Sequence, residues 1–233
     1  MNDIAAPPLT IDRVRTAERV AEALREQLLS GVFPLGAPMR DVELSAQVGV
    51  SRTTMREALA LLVREGLLSH ALHRGMEVAQ IAAGDVRDIY ATRRVLERAG
   101  LERLLAPPAS RTTDLERSVA TMAEAAARHD MRGVIEADAA FHTALVAAAG
   151  VRRLADAETR ALMELRLALS VTDRAYGDPA EQTRQHRALL AAIRDRRPDA
   201  PALLDAHLTE AADLVASGLA ETKTERPGRS RPR

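Results

Sequence analysis

The chain has 233 residues, enough for one large domain or two modest ones, and its 33 basic side chains are balanced by 33 acidic ones. Zero net charge argues against a histone-like coat, which needs a large positive field to hold DNA without sequence preference, but it leaves room for a local basic patch. The absence of cysteine excludes disulfides, thiolate zinc sites, iron–sulfur clusters and cysteine nucleophiles. No apolar run reaches the 18 or more residues of a membrane span and no signal-peptide core opens the chain, so a soluble, cytoplasmic protein is expected. Only four aromatics occur (Phe33, Tyr90, Phe141, Tyr176), so packing falls to aliphatic side chains on helices. Stacking platforms for single-stranded nucleic acid are nearly absent.

Residues 1–10 are polar, carry Pro7 and Pro8, and are expected to be disordered. From Thr16 to Ser30, Val20, Ala21, Leu24 and Leu28 recur at helical spacing, and Gly31 stands where a C-terminal cap belongs. A turn of Phe33-Pro34-Leu35-Gly36-Ala37-Pro38 follows. A short helix is predicted from an Asp41 N-cap to Val48, closed by Gly49. Ser51 caps a third helix whose inward stripe is Met55, Ala58, Leu59 and Leu62. Residues 67–70 and 75–79 alternate as a small β-hairpin around a tip at 71–74.

Beyond Ile81 to Gly84 the pattern becomes almost wholly helical. Breaks at Pro107-Pro108, Asp130, Gly150, Gly177-Asp178-Pro179 and Pro198 to Pro201 define helices near 85–105, 114–128, 131–148, 151–173, 180–196 and 201–219. Short connections between such helices predict an antiparallel bundle of six, or seven if a short one hides in a loop. The fold class is therefore mainly α: a winged helix-turn-helix domain over 11–80 and an all-α domain over 85–220, with a disordered basic tail at 221–233.

Residues 41–66 have the form of a helix-turn-helix. Its second helix needs hydrogen-bond donors near its N-terminus, where base edges are within reach. Arg52, Thr53 and Arg56 lie off the Met55/Leu59/Leu62 stripe, and arginine can fork to guanine while threonine bonds a base edge or packs on a thymine methyl. The first amides of that helix, behind Ser51, can hold a phosphate. Across 11–80 nine arginines meet nine acids, yet 51–64 holds three arginines against one acid, which focuses positive charge on this helix. The same pattern also suits a small trihelical core with no DNA role.

Val50-Ser51-Arg52-Thr53-Thr54-Met55-Arg56-Glu57-Ala58-Leu59, with Arg64-Glu65-Gly66-Leu67, closely resembles the GntR family of bacterial transcription regulators. Gly31 to Gly36, Glu43-Leu44-Ser45 and Arg74-Gly75-Met76-Glu77-Val78 carry the same resemblance, which spans about 70 residues. It implies operator contacts from Arg52, Thr53, Thr54 and Arg56, and a wing tip of His73, Arg74 and Gly75 in the minor groove. Val42 stands where the fatty-acid regulator of the family has an arginine, and Arg40 is the substitute phosphate contact. His70 and His73 are read as solvent or phosphate contacts, since a wing tip makes a poor metal cage.

In the bundle the informative spacing is Asp138-x-x-x-His142, which puts a carboxylate and an imidazole on one helix face. His186 and His207 follow on later helices, completing a nitrogen/oxygen set suited to a divalent ion. An Asp–His pair at this spacing is more often a local hydrogen bond, so spacing alone leaves the site open. Asp138 to Leu145, Gln185 to Ile193 and His207 resemble the FCD effector-binding domain of the FadR subfamily. That resemblance implies that Asp138, His142, His186 and His207 hold a divalent metal, zinc first, with nickel, manganese or iron as alternatives. Asp88 to Glu97 extends the match and makes Arg93 the expected contact for an effector carboxylate, against a surface arginine paired with Glu97. Six helices favour the VanR-like branch, and Val151 replaces the Asn usual after the glycine at 150.

The expected function is a homodimeric, operator-binding transcription regulator, in the repressor sense, controlled by a small organic acid at the metal. The alternatives are a metal-dependent hydrolase using the same ion and a non-specific DNA coat. No nucleophile–base pair and no Glu-x-x-His layer accompany the ligand set, which argues against catalysis.

Overall fold

The computed structural model describes residues 13–71, 75–107, 112–172 and 177–225. They divide into two compact units, with the boundary between 78 and 79. In the first, α1 (Arg13–Leu29), β1 (Pro38–Met39), α2 (Asp41–Val48), α3 (Arg52–Arg64), β2 (Leu68–Ala71) and β3 (Gly75–Val78) follow in order. The periodic residues of α1 are its buried ones: Ala17, Val20, Ala21, Leu24 and Leu28 pack on α3, which contributes Met55, Ala58, Leu59 and Leu62. Gly49 takes φ +73°, a left-handed conformation that an L side chain strains to reach, and it lets the amides of 49 and 50 both bond the Ser45 carbonyl. This tight turn launches α3 directly from α2. Arg25 forks onto Glu65 with two 2.7 Å bonds and ties α1 to the end of α3.

Two local expectations need correction here. The N-cap of α2 is Arg40 rather than Asp41, which is the first helical residue and stands at the positive end of the helix. The wing has three antiparallel strands in the order β1-β3-β2 instead of a lone hairpin, because Pro38 and Met39 pair with Glu77 and Met76. A proline at the start of a two-residue edge strand costs no ladder bond, so the segment read as a turn is extended.

The second unit contains α4 (Ala83–Leu105), α5 (Thr113–Ala127), α6 (Met131–Ala147), α7 (Arg152–Leu169), α8 (Pro179–Arg194) and α9 (Ala200–Glu225), six helices among the described residues. Their starts follow from sequence chemistry. Asp130 caps α6 by accepting from the Gly133 amide, Asp178 caps α8 with Pro179 behind it, and Asp85 accepts from the Ala82 amide at the head of α4. The last helix runs to 225 instead of ending at 219, since no breaker intervenes before Pro227. Thus 221–225 of the expected tail is helical, while 1–10 and 226–233 lie outside the described residues.

The first bundle helix is the hub. It packs against α6, α7 and α9, and its buried face includes Tyr90, Arg93 and Glu97 among Val86, Ile89, Leu96, Leu101 and Leu104. Gly100 allows this helix to lie directly on the backbone of α6 at Leu145.

Candidate functional site

On α6, Asp138 and His142 share a face, four residues apart, behind the fully buried Phe141. From α8 comes His186, and from α9 His207. The Phe141 ring meets the His142 and His186 rings edge-on at 5.5 and 4.9 Å, restricting both imidazoles. The Nε2 atom of His142 lies 3.3 Å from those of both His186 and His207, and the Oδ1 atom of Asp138 lies 3.1 Å from His186 Nε2 and 3.7 Å from His142 Nε2. All four donor atoms fall within 4.8 Å of one another.

Each imidazole has an acceptor behind it. His142 Nδ1 meets Glu97 Oε2 at 2.6 Å, His186 Nδ1 meets the Gln182 carbonyl at 2.8 Å, and His207 Nδ1 meets Gln185 Oε1 at 3.0 Å. An acceptor on Nδ1 fixes the proton there and leaves the Nε2 lone pair inward. Three lone pairs and a carboxylate oxygen then face one point, an arrangement that repels itself unless a cation sits among them. Tetrahedral zinc with bonds of ~2.0–2.1 Å sets ligand–ligand edges of ~3.3–3.4 Å, and the observed separations bracket that value. The donor set fits a divalent ion.

The electrostatics point the same way. Burial works most strongly against charge on His142, but Glu97 and then Asp138 outweigh it and lift its pKa to about 9. Asp138 is held well below the usual carboxylate range: its burial opposes ionisation, and His142 and His186 overcome that. His207 is pushed well down by burial and by its imidazole neighbours. Buried Glu97 and partly buried Asp138 thus draw positive charge into the cluster.

Arg93 is inward, 1% exposed, and faces the same cavity, whose other walls include Tyr90, Leu165, Leu214 and Val215. It also pairs with Glu97, at 2.9 Å, and with Glu158 of α7, at 3.2 Å. The contact with Glu97 is close but poorly aligned, leaving Nη2 without a well-directed acceptor. Arg93 is therefore neither a surface residue nor a free fork. Glu158, buried beside Glu97, has its pKa raised to about 7 by burial and by that neighbouring charge. Arg94 instead reaches Thr209 and Asp205 on the outside of α9.

Sequence reasoning passed over Glu97, Glu158 and Gln185. A signal for Glu97 did exist: it occupies a core position in the stripe Ile89, Tyr90, Arg93, Leu96, Glu97, Gly100, where an unpaired acid would be costly.

In the winged unit, Arg52, Thr53 and Arg56 are exposed on α3, and Arg40 is exposed beside α2. Arg52 approaches Asp41 at 3.4 Å and Arg40 bonds Glu43 at 2.8 Å, so acids already orient both arginines. Thr54 departs from its expected operator contact. It is 9% exposed and its hydroxyl lies 2.8 Å from that of Ser51, which accepts from the Thr54 amide. It completes the cap of α3, as the inward turn of the helix at that position dictates. Gly75 opens β3 in an exposed left-handed conformation, and His70 is exposed on β2. His73 and Arg74 lie outside the described residues.

Comparison with known proteins agrees with both halves. Residues 16–78 match the bacterial regulatory proteins of the gntR family, and residues 88–210 match the FCD domain. The chain is 31% identical over 193 residues to a protein of Paenarthrobacter nicotinovorans named "Probable D-xylose utilization operon transcriptional repressor", covering 81% of this chain and 83% of that one. It is 34% identical over 154 residues to an HTH-type transcriptional regulator of Agrobacterium vitis, covering 62% and 90%. A solved GntR-type transcriptional regulator from Rhodococcus sp. RHA1 superposes with a TM-score of 0.77 at 29% identity, covering 88% of this chain and 98% of that one. Such proteins are regulators and not enzymes, so the hydrolase alternative finds no support. No helix among the described residues is long and apolar enough to cross a membrane. The chain belongs to the GntR family of DNA-binding transcriptional regulators, with an FCD domain following its winged helix-turn-helix.

Proposed function

We propose that this regulator is a homodimeric repressor whose operator affinity is set by a small organic acid bound at a zinc ion in its helical unit. The observation that carries the reading is the convergence of Asp138, His142, His186 and His207, each imidazole held by its own Nδ1 acceptor. A zinc ion held by these four residues would accept an effector carboxylate oxygen by expanding to five-coordination. The cavity beside them supplies the rest of a carboxylate site. Tyr90 and Arg93 stand at its polar end, and Leu165, Leu214 and Val215 form an apolar wall.

The room in this cavity is ≈ 20 Å³, about the space of one water. An organic acid is larger, so its entry must displace side chains or helices. Ligand binding is thereby linked to conformation, and the ligand shifts DNA affinity only by its preference between the two states, typically ~1–3 kcal/mol. Arg93 contributes its charge from the cavity wall while its guanidinium stays paired with Glu97 and Glu158.

On DNA, Arg52, Thr53 and Arg56 read base edges, Arg40 and the α3 N-terminus behind Ser51 hold phosphate, and the wing tip from His73 to Gly75 enters the minor groove. A dimer would present two such helices about one helical turn, ~34 Å, apart on a near-palindromic operator. A thermal-shift series of small carboxylates on zinc-loaded protein tests the sensing half, repeated with His142→Ala and His186→Ala. Stabilisation of the wild type alone supports the reading; equal stabilisation of all three proteins overturns it.

A further inference from the structure

The helical unit contains a buried line of charged groups that ends on one donor of the proposed ion. Glu158 on α7 accepts from Arg93 on α4; Arg93 pairs with Glu97 one turn further along α4; and Glu97 meets Nδ1 of His142 on α6. Glu97 and Glu158 are both fully buried and Arg93 is 1% exposed. The three imidazoles differ in what stands behind them. His186 has a backbone carbonyl and His207 the amide of a partly exposed Gln185, whereas His142 alone has a carboxylate, on the shortest of the three contacts.

We propose that Glu97 is a positioning residue for metal binding: it holds the proton on Nδ1 of His142 so that Nε2 faces the ion, and Arg93, anchored by Glu158, holds Glu97 in place. A carboxylate on the remote nitrogen fixes the tautomer and ring orientation and increases the electron donation of the ligating nitrogen. Arg93 matters here because a buried carboxylate with a single neutral partner would be poorly compensated. Glu97 thus lies between Arg93 and His142: Oε2 meets the imidazole, and Oε1 stands 2.9 Å from Arg93 Nη2 in a charge contact rather than an aligned hydrogen bond. This inference rests on the proposed metal centre and adds to it a residue that touches neither ion nor effector.

The test uses the full chain loaded with cobalt(II), comparing wild type with Glu97→Gln. Ligation through Nε2 leaves an Nδ1 proton on each imidazole. The proton spectrum of the wild type should therefore show three strongly shifted resonances that vanish in heavy water. In Glu97→Gln, one of the three should move or broaden while two persist, and cobalt affinity, measured by chelator competition, should fall about 10- to 100-fold. In a His142→Ala background the same substitution should change affinity little, because its effect passes through that imidazole. Wild-type affinity with three unchanged resonances in Glu97→Gln overturns the positioning role while leaving the metal centre intact. Failure of the wild type to bind cobalt removes both. Should Glu97→Gln not fold, the zinc-loaded wild type decides the matter. The His142 Nδ1 proton must then be the furthest downfield and slowest to exchange of the three, and a fast-exchanging proton refutes the proposal.

Discussion

Replacing Gly100 by alanine probes the contact that holds the first bundle helix against α6, the helix that carries Asp138 and His142. A Cβ at this position would stand 1.9 Å from the Leu145 carbonyl oxygen, 2.6 Å from its carbon and 3.1 Å from the Cα of Val146. Carbon and oxygen need ~3.3 Å, so α4 and α6 must part by roughly 1.4 Å at this level. Overpacking of this kind costs about 1–3 kcal/mol. Alanine recovers up to about 1 kcal/mol through its helix propensity. Since the obstacle is backbone on a packed helix, the expected balance is a loss of about 1–2 kcal/mol. The consequence extends to the site, because Glu97 and His142 each lie one turn before the contact on their own helices. Helices separating as rigid rods would open the 2.6 Å Glu97–His142 bond. The new separation would be roughly 4 Å, beyond hydrogen-bonding range. Urea unfolding of chelator-treated protein should show the lower midpoint, and chelator competition should show weaker zinc binding. A midpoint equal to or above that of wild type, with unchanged zinc affinity, would refute the close approach, since only the propensity gain would then be felt.

Zinc removal by chelator should lower the melting temperature of the wild type but leave His142→Ala and His186→Ala almost unaffected. At metal concentrations 100-fold above Kd the linked stabilisation is about 2.7 kcal/mol. The chelated protein should also lose stability as pH rises from 4.5 to 9, through Glu158 up to about 7 and through His142 from 6.5 to about 9. His142 has its folded pKa raised to about 9 and Glu158 to about 7, so each favours folding most below its unfolded value and loses that contribution as pH rises through the folded one. A flat urea midpoint across that range would contradict the assignment, and zinc loading should flatten it by keeping His142 unprotonated. On operator DNA, Arg52→Ala should cost about 1–3 kcal/mol and relax preference at one base position, whereas Arg40→Ala should weaken all sequences alike and reduce the salt slope by about one. Binding titrations at several salt concentrations on operator and scrambled DNA separate these, and equal loss on both sequences for Arg52→Ala would remove its base-reading role.

Much of the architecture is legible in the sequence because local rules and burial agree. The α1 and α3 stripes, the Ser51 and Asp130 caps and the Gly49 turn are each set by neighbours within four residues, and the structure shows them in place. The convergence of Asp138, His142, His186 and His207 is partly legible for the same reason. Asp138 and His142 announce themselves by spacing, while His186 and His207 are single residues whose convergence depends on how α8 and α9 pack. What escapes is what depends on a distant partner. The two residues of β1 become a strand only because β3 lies beside them. Thr54 is an operator contact by resemblance alone, and the cap geometry turns it inward. Arg93 is expected inward by resemblance, with a surface pair to Glu97 as the alternative, and only the packing of α6 and α7 over that face joins Arg93, Glu97 and Glu158 in a buried charge network.

That network has a charge requirement that ties the two buried regions together. Asp138 and Glu97 are anionic, Arg93 supplies one positive charge, and Glu158 is poised between neutral and anionic near pH 7. Three neutral imidazoles leave the group with an excess of negative charge in a low-dielectric setting, where an unbalanced charge is costly. A proton on His142 is one remedy, and the upward shift of its pKa expresses that demand. A divalent ion at the Nε2 atoms is the stronger remedy, since it brings two positive charges to four ready donors and makes the His142 proton unnecessary. The ion would bring the group to neutrality with Glu158 ionised and to one net positive charge with Glu158 protonated, and in the second state the cavity wall beside Arg93 is positive. An anionic effector, and a carboxylate in particular, is the ligand that such a wall favours.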